Sequence, residues 1–344
     1  MIAIRRIVRT RSVLAILATL FAATSPMREV LAAVVQSKLG GVASWHYQLQ
    51  NIDVAALSQL DVDLFVIDYA RSSPEGPPVE LSRDEVERLR TKPDGGRRIV
   101  LAYLSIGEAE EYRFYWKAEF AKMRPAWHVA PNKRWPDNHR VRFWMDDWKE
   151  IIVRRAGSYL DRIQDAGFDG VYLDRIDTYG GFAIEQPDAR SEMIALIREI
   201  ADKARHRHPD FLIIAQNAEE LLEHAPYRAM IDGIAKEDYI YGVGGDGRRN
   251  AADLVQWTAD KLQLLKADGK LVLVVEYLSD PIKQADARFE IERGQFIHVF
   301  ARRALDGPAL EPRANPKRDD PAHSSRWQSP ASGCAWAVGA VGPC

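Results

Sequence analysis

The chain has 344 residues, 47% of them hydrophobic and 28% charged, with 47 lysines and arginines against 49 aspartates and glutamates for a formal net charge of -2. This composition supplies a sizeable core and excludes a low-complexity or disordered chain. With no long run of one sign, it carries neither the basic footprint of a nucleic-acid binder nor a polybasic membrane anchor.

At the start, Arg5, Arg6, Arg9 and Arg11 precede the apolar run VLAILATLFAA, which is too short to span a bilayer comfortably. Residues 1–33 therefore read as a secretory signal peptide, with Leu31, Ala32 and Ala33 at the cleavage site; the alternative is an uncleaved membrane anchor. Either one puts the following domain outside the cytoplasm, periplasmic or secreted.

From residue 40 to 305, short apolar runs alternate with amphipathic segments. The expected strands are VASWHY (42–47), DLFVIDY (63–69), RIVLAYLS (98–105), GVYLD (170–174), FLIIAQN (211–217), GIAKE (233–237), LVLVVEY (271–277) and FIHVFA (296–301). Between them stand helix signals: a capping box from Ser82 to Glu85, a start at Asp147 to Glu150 running into IIVRRAGSYLDRIQDAG, then EMIALIREIADKARH and LVQWTADKLQLLKADG. Gly167 and Gly269 stand where helices should stop.

Repeated strand-then-helix units predict a single-domain α/β fold, a (β/α)8 TIM barrel, because each parallel strand needs a crossover and eight units close the sheet. An open doubly wound sheet lacks its Gly-rich phosphate loop here, since SWHYQLQN follows the first strand. The segment 306–344 is rich in proline and charge and predicts an irregular tail. The two cysteines, Cys334 and Cys344, both fall in that tail, where an oxidising compartment would let them close a small loop. No metal or cofactor is expected, as the eight histidines are scattered and His206 and His208, two apart, point to different sides.

A barrel builds its site at the carboxyl ends of its strands. Those ends carry Trp45 and Tyr47, Asp68, Ser105 with Glu108, Asp174 with Asp177, Gln216 with Asn217, Glu237 with Asp238, and Glu276 with Tyr277. Strand parity narrows the set. With Val171 and Leu173 facing the helices, Asp174 shares the interior face with Tyr172 and Gly170; with Phe65 and Ile67 outward, Asp68 turns inward; Glu237 shares its face with the small Ala235 and Gly233. Asp174 and Glu237 become the leading pair. Two carboxylates on one pocket, without histidine or cysteine clusters, fit glycoside hydrolysis, whose oxocarbenium-like transition state needs one anion and one proton donor. The expected division has Asp174 ionised, stabilised by Arg175, Tyr172 and strand-end amides, and Glu237 holding the proton. Trp116, Trp127, Trp135, Trp144 and Trp148 crowd the long segment after the third strand. They serve either to stack on sugar rings or to anchor that loop.

The runs LAYLSIGEAEEYRFYW (101–116), GFDGVYLDRIDTY (167–179), AQNAEELL (215–222) and AKEDYIYG (235–242) resemble the endo-α-1,4-polygalactosaminidases of glycoside hydrolase family 114. The resemblance spans roughly residues 40 to 305 and implies a (β/α)8 barrel that cleaves internal α-1,4 linkages of a galactosamine-containing polysaccharide. By position it carries the catalytic pair onto Asp174 of YLDRID and Glu237 of KEDYIY. Tyr47, Asp68, Tyr103, Glu108, Tyr172, Asp177, Asn217, Glu276 and Tyr277 are then the expected substrate-binding residues, with an amino-sugar polymer as the partner. The rival expectation is a noncatalytic carbohydrate-binding or cell-envelope scaffold protein with the same barrel.

Overall fold

The computed structural model describes residues 35, 38–73 and 76–310. The expected signal peptide and both cysteines lie outside the described residues. Eight parallel strands follow one another in spatial order as in sequence: β1 (Trp45–Gln48), β2 (Leu64–Ile67), β3 (Ile99–Ser105), β4 (Gly170–Asp174), β5 (Leu212–Gln216), β6 (Gly233–Glu237), β7 (Leu271–Glu276) and β8 (Ile297–Phe300). The last strand lies against the first. At the carboxyl end of this seam Leu49 and Gln50 donate their backbone N–H groups to Leu305 O at 2.8 and 3.0 Å, tying the segment after β8 to the end of β1. This is the (β/α)8 barrel that the alternation predicts, with all eight strands where the apolar runs stand.

Alternation sorts the side chains into two cores. Leu64, Val66, Leu101, Tyr103, Tyr172, Leu212, Ile214, Ala235, Leu273 and Val275 fill the barrel interior. Phe65, Ile67, Val100, Ala102, Val171, Leu173, Ile213, Ile234 and Val274 face the helices. Gly170 and Gly233 occupy the interior where neighbouring backbone leaves no room: a Cβ would meet Leu212 O at 2.4 Å and Leu271 O at 2.8 Å respectively. These are the two strands that carry Asp174 and Glu237, and their tight lower ends leave the upper ends free for larger polar groups.

The helix layer shows where local signals held. Ser82 and Glu85 form the reciprocal capping box that opens α1 (Arg83–Arg90), a device worth about 1 kcal/mol. The single helix expected from Asp147 is instead broken. Residues Asp146–Lys149 make one helical turn, Glu150–Arg154 widen into a π-type turn, and a new helix, α2 (Tyr159–Ala166), begins at Ser158. Gly157 takes φ 69° and ends the first piece, Ser158 Oγ then accepts from Asp161 N at 3.3 Å, and Gly167 closes α2 at φ 88°. Next come α3 (Ala189–Arg207), α4 (Ala225–Met230), α5 (Ala252–Ala267) and α6 (Pro281–Arg293). The periodicity hides α6, because Ile282 and Phe289 are exposed while its inward side is thin, with Gln284, Ala287 and Ile291.

Three excursions decorate the carboxyl-end face: a hairpin of Ala70–Ser73 and Gly76–Glu80, a three-stranded antiparallel sheet of Glu108–Glu110, His128–Pro131 and Asn138–Val141, and a hairpin of Tyr241–Gly242 and Gly245–Arg249. The chain also stays bonded to the barrel past residue 306, since Leu310 N donates to Phe300 O at 2.9 Å.

Candidate active site

On β4 the inward residues are Gly170, Tyr172 and Asp174, and on β6 they are Gly233, Ala235 and Glu237; β5 lies between these strands. Its register pairs Ala215 with both Leu173 and Ile234, so Asp174 stands level with Ala235 and Glu237 projects two residues further toward the mouth. The two acids therefore lie on alternate strands at different depths. Each of the three strands turns sharply at its end through residues in the left-handed region: Arg175 at φ 63°, Asn217 at 55°, Ala218 at 54° and Asp238 at 53°. None is glycine; Arg175 and Ala218 each cost about 1 kcal/mol or more there and Asn217 and Asp238 less, and such conformations cluster where the surroundings hold a working group in place.

Asp174 is half-buried. Its Oδ2 accepts from Tyr103 Oη at 2.5 Å and its Oδ1 from Arg175 N at 2.6 Å. Burial and the nearby Glu237 carboxylate push it up to about 7, against the opposing pull of Arg175 and Tyr103. This corrects the expectation that its ionisation is secured: removing water from the carboxylate outweighs the cation beside it. Tyr103, and not Tyr172, supplies the hydroxyl bond.

Glu237 Oε2 accepts from Asn217 Nδ2 at 3.2 Å, its Oε1 accepts from the Tyr277 hydroxyl, and its backbone N donates to Asn217 Oδ1 at 3.1 Å. Asn217 thus clasps both ends of the residue. Tyr47 and Tyr172, their ring centres 5.1 Å apart, are buried on the barrel interior. Burial, with both carboxylates nearby, pushes each phenol well up from its ordinary range. Arg175 links the pair to two further acids: its Nη2 lies 3.0 Å from Glu108 Oε1 and its Nη1 3.8 Å from Asp177. Glu108 is buried, also accepts from Asn132 Nδ2 at 3.0 Å, and is raised by its burial.

A cavity of about 240 Å³ opens beside this cluster. Glu237, Asp177 and Asn217 line it, together with Glu219, Glu220, Asp238 and Lys236, so five carboxylates face a single ammonium. Asp174 is not in its wall. Lys236 is itself drawn to Glu219 at 3.3 Å, and Arg303 and Arg175 offset Asp238 and Asp177 from behind the wall, so the mouth keeps a net excess of two carboxylates.

Two of the expected site residues are held elsewhere. Asp68 takes both guanidinium nitrogens of buried Arg113, at 2.7 and 2.8 Å, and the backbone N of Ala70 at 2.9 Å. Arg113 is in turn fixed by Glu110 at 2.6 Å. With its oxygens so occupied, Asp68 locks the β2 and β3 loops together. Glu276 follows Val275, which faces inward, and so turns toward the outer layer. There it is fully buried and accepts from Ile240 N at 2.6 Å and Tyr241 N at 3.3 Å. The tryptophans mostly anchor the long loop: Trp127 and Trp148 are buried 5.1 Å apart, Trp148 Nε1 bonds Ile106 O at 2.9 Å, Trp116 stacks on His139 at 4.6 Å, and Trp144 meets Phe182 edge-on at 4.9 Å. Trp135 alone of the five is exposed. Asp238 stands among the strand-end residues though outside the expected site set, and parity misses Glu219, Glu220 and Lys236, because alternation stops applying once the chain leaves the strand or, for Lys236, assigns the long side chain to the wrong face.

The sequence model described as glycoside-hydrolase family GH114 matches residues 25–315. An uncharacterized protein of Methanocaldococcus jannaschii is 37% identical over 247 residues, covering 70% of this chain and 67% of its own. An uncharacterized protein of Thermotoga maritima is 36% identical over 243 residues, covering 69% and 71%. Among solved structures, the glycoside hydrolase domain of PelA from Pseudomonas aeruginosa is similar in fold, with a TM-score of 0.59 at 20% identity over 78% of this chain and 98% of that domain.

Proposed function

As this chain belongs to glycoside-hydrolase family GH114, and is thus a glycoside hydrolase, we propose that it cleaves internal α-1,4 linkages of a galactosamine-containing polysaccharide with Asp174 and Glu237 as the reacting pair. The observation that carries this reading is the meeting of two inward carboxylates at the ends of β4 and β6, one deep and one on an open acidic cavity. The arginine-rich start and short apolar run support an enzyme working outside the cytoplasm.

Depth divides the labour. A general acid must be reprotonated from water in each turnover, so the residue in the cavity wall, Glu237, delivers the proton to the leaving oxygen. Asp174 faces the anomeric carbon as the anion, attacking it or stabilising its charge. Burial makes that anion costly, which is why it is pushed up to about 7, and positive charge developing on the sugar ring relieves the cost in the transition state. Tyr103 and the Arg175 amide hold its oxygens while this happens. An amine on the sugar suits a mouth with five carboxylates and one lysine.

The test is incubation of the purified protein with deacetylated and with acetylated galactosaminoglycan, reading new reducing ends. Release of oligosaccharides from either polymer supports the reading. Binding without cleavage favours a carbohydrate-binding scaffold, and neither binding nor cleavage removes the amino-sugar assignment.

A further inference from the structure

Beyond β8 the chain makes a return that is pinned throughout. Leu305 N bonds Arg302 O at 2.9 Å, Leu305 O receives the N–H groups after β1, and Leu310 N reaches back to Phe300 O. From this turn Arg303 extends across the ends of β7 and β6. Its Nη1 and Nη2 donate to the two oxygens of Asp238 at 3.1 and 2.9 Å, Nη2 also lies 2.8 Å from Asp246, and its guanidinium carbon sits 4.2 Å from the centre of the Tyr277 ring.

Both partners lead to Glu237. Asp238 is the next residue in the chain and is held in the left-handed region, while the Tyr277 hydroxyl donates to Glu237 Oε1. We propose that Arg303 is a positioning residue of the active site, fixing the Glu237 carboxylate from outside the cavity through Tyr277 and Asp238. This rests on the reading of Glu237 as a reacting carboxylate.

The physical basis is twofold. A cation over the face of a phenol draws electron density from the ring and makes its O–H a stronger donor. A bidentate guanidinium fork also fixes the orientation of Asp238 in a way a point charge cannot, and with it the backbone direction from which Glu237 projects. Asn250 Nδ2, bonded to Asp238 O at 2.8 Å, and Asp238 N, bonded to Val275 O at 3.2 Å, complete the frame. The groups that otherwise face Glu237 are Asp174 and Tyr172 of β4, Tyr47 of β1, Asn217 after β5, Lys236 with its partner Glu219, and Asp177 and Glu220 across the cavity. Arg303 adds a cation from the β8 side of the site, where Tyr277 itself carries none.

Arg303→Met and Arg303→Lys are assayed beside Tyr277→Phe on the polymer the wild type cleaves, with circular dichroism to establish folding. Arg303→Met should lower kcat by about tenfold to a hundredfold, leave KM within about twofold, and move the pH–rate profile toward higher pH. In a Tyr277→Phe background it should cost less than in the wild type, because the route through Tyr277 is already lost and only the Asp238 clamp remains, and Arg303→Lys should recover part of the rate. A folded Arg303→Met enzyme with unchanged kcat and profile overturns the proposal, as do fully additive losses. If Arg303→Met does not fold, Arg303→Gln, which removes the same charge with a polar side chain, must reproduce the fall and the shift. A wild type that cleaves no polysaccharide sinks the catalytic reading instead, and carbon-13 titration of the Glu237 carboxyl in wild type and Arg303→Met (or Arg303→Gln) then decides the linkage: a changed midpoint supports it, identical curves refute it.

Discussion

Tyr103 donates its phenolic proton to Oδ2 of Asp174 over 2.5 Å, across the β3–β4 pair, although burial and Glu237 together hold that carboxylate up to about 7. The bond is one of two contributions that favour the anion, the other being Arg175. Tyr103→Phe should therefore push Asp174 above its present value. With Asp174 required as the anion, the acid limb of kcat/KM lies near 7 in the wild type and moves upward in Tyr103→Phe, with roughly a tenfold lower rate on the acid side. A pH–rate series on both proteins checks this, and a limb that stays in place would falsify the assignment of that limb to Asp174.

Asp174→Asn and Glu237→Gln should each fold normally and lose about two to four orders of magnitude in turnover, the scale of a lost catalytic proton donor or acceptor. Asp174→Asn should also be at least as stable as the wild type above neutral pH, because it removes a carboxylate that burial disfavours. Reducing-end assays and thermal denaturation measure the two effects. Near-normal turnover in either variant would move attention to Asp177, which lines the same cavity.

Asn217→Ala should cost less activity than loss of either acid, about tenfold, because Tyr277 still holds the other oxygen of Glu237. The backbone adds a separate penalty: Asn217 sits at φ 55°, where alanine is less at ease than asparagine, so the melting temperature should fall by an amount corresponding to about 1 kcal/mol. Activity loss equal to that of Asp174→Asn would mean that Asn217 itself contacts the reacting atoms.

Glu276 predicts a pH dependence of stability. Its ordinary value of 4.5 is raised to about 8 in the folded chain, chiefly by burial and against two backbone N–H bonds. The folded state thus holds the proton more tightly than the unfolded one, so stability falls as pH rises from about 4.5 to about 8. Asp174 acts in the same sense up to about 7. Glu276→Gln copies the protonated form and should flatten the decline in melting temperature between pH 5 and pH 8. A decline as steep as in the wild type would show that other groups carry it.

The acidic cavity should make binding of a cationic polymer salt-sensitive. Raising salt should weaken binding of the deacetylated polymer more than of the acetylated one, measured by affinity at two ionic strengths. Equal weakening would count against Asp177, Glu219, Glu220 and Asp238 as subsites for an amine.

Periodicity alone made the barrel, its eight strands and the inward pair Asp174 and Glu237 readable, because which way a strand side chain points depends on the local backbone and its neighbours two residues away. The capping box at Ser82 and the stop at Gly167 were readable for the same local reason. What a side chain does once it points somewhere depends on partners brought near from elsewhere in the chain. Arg113 claims Asp68 from 45 positions away, the amides of Ile240 and Tyr241 claim Glu276, and Arg303 reaches Asp238 across 65 positions. The charge of Asp174 likewise depends on three dimensions: Arg175 beside it in sequence argues for a secure anion, but desolvation and the field of Glu237 depend on distances and burial that exist only after the barrel has closed.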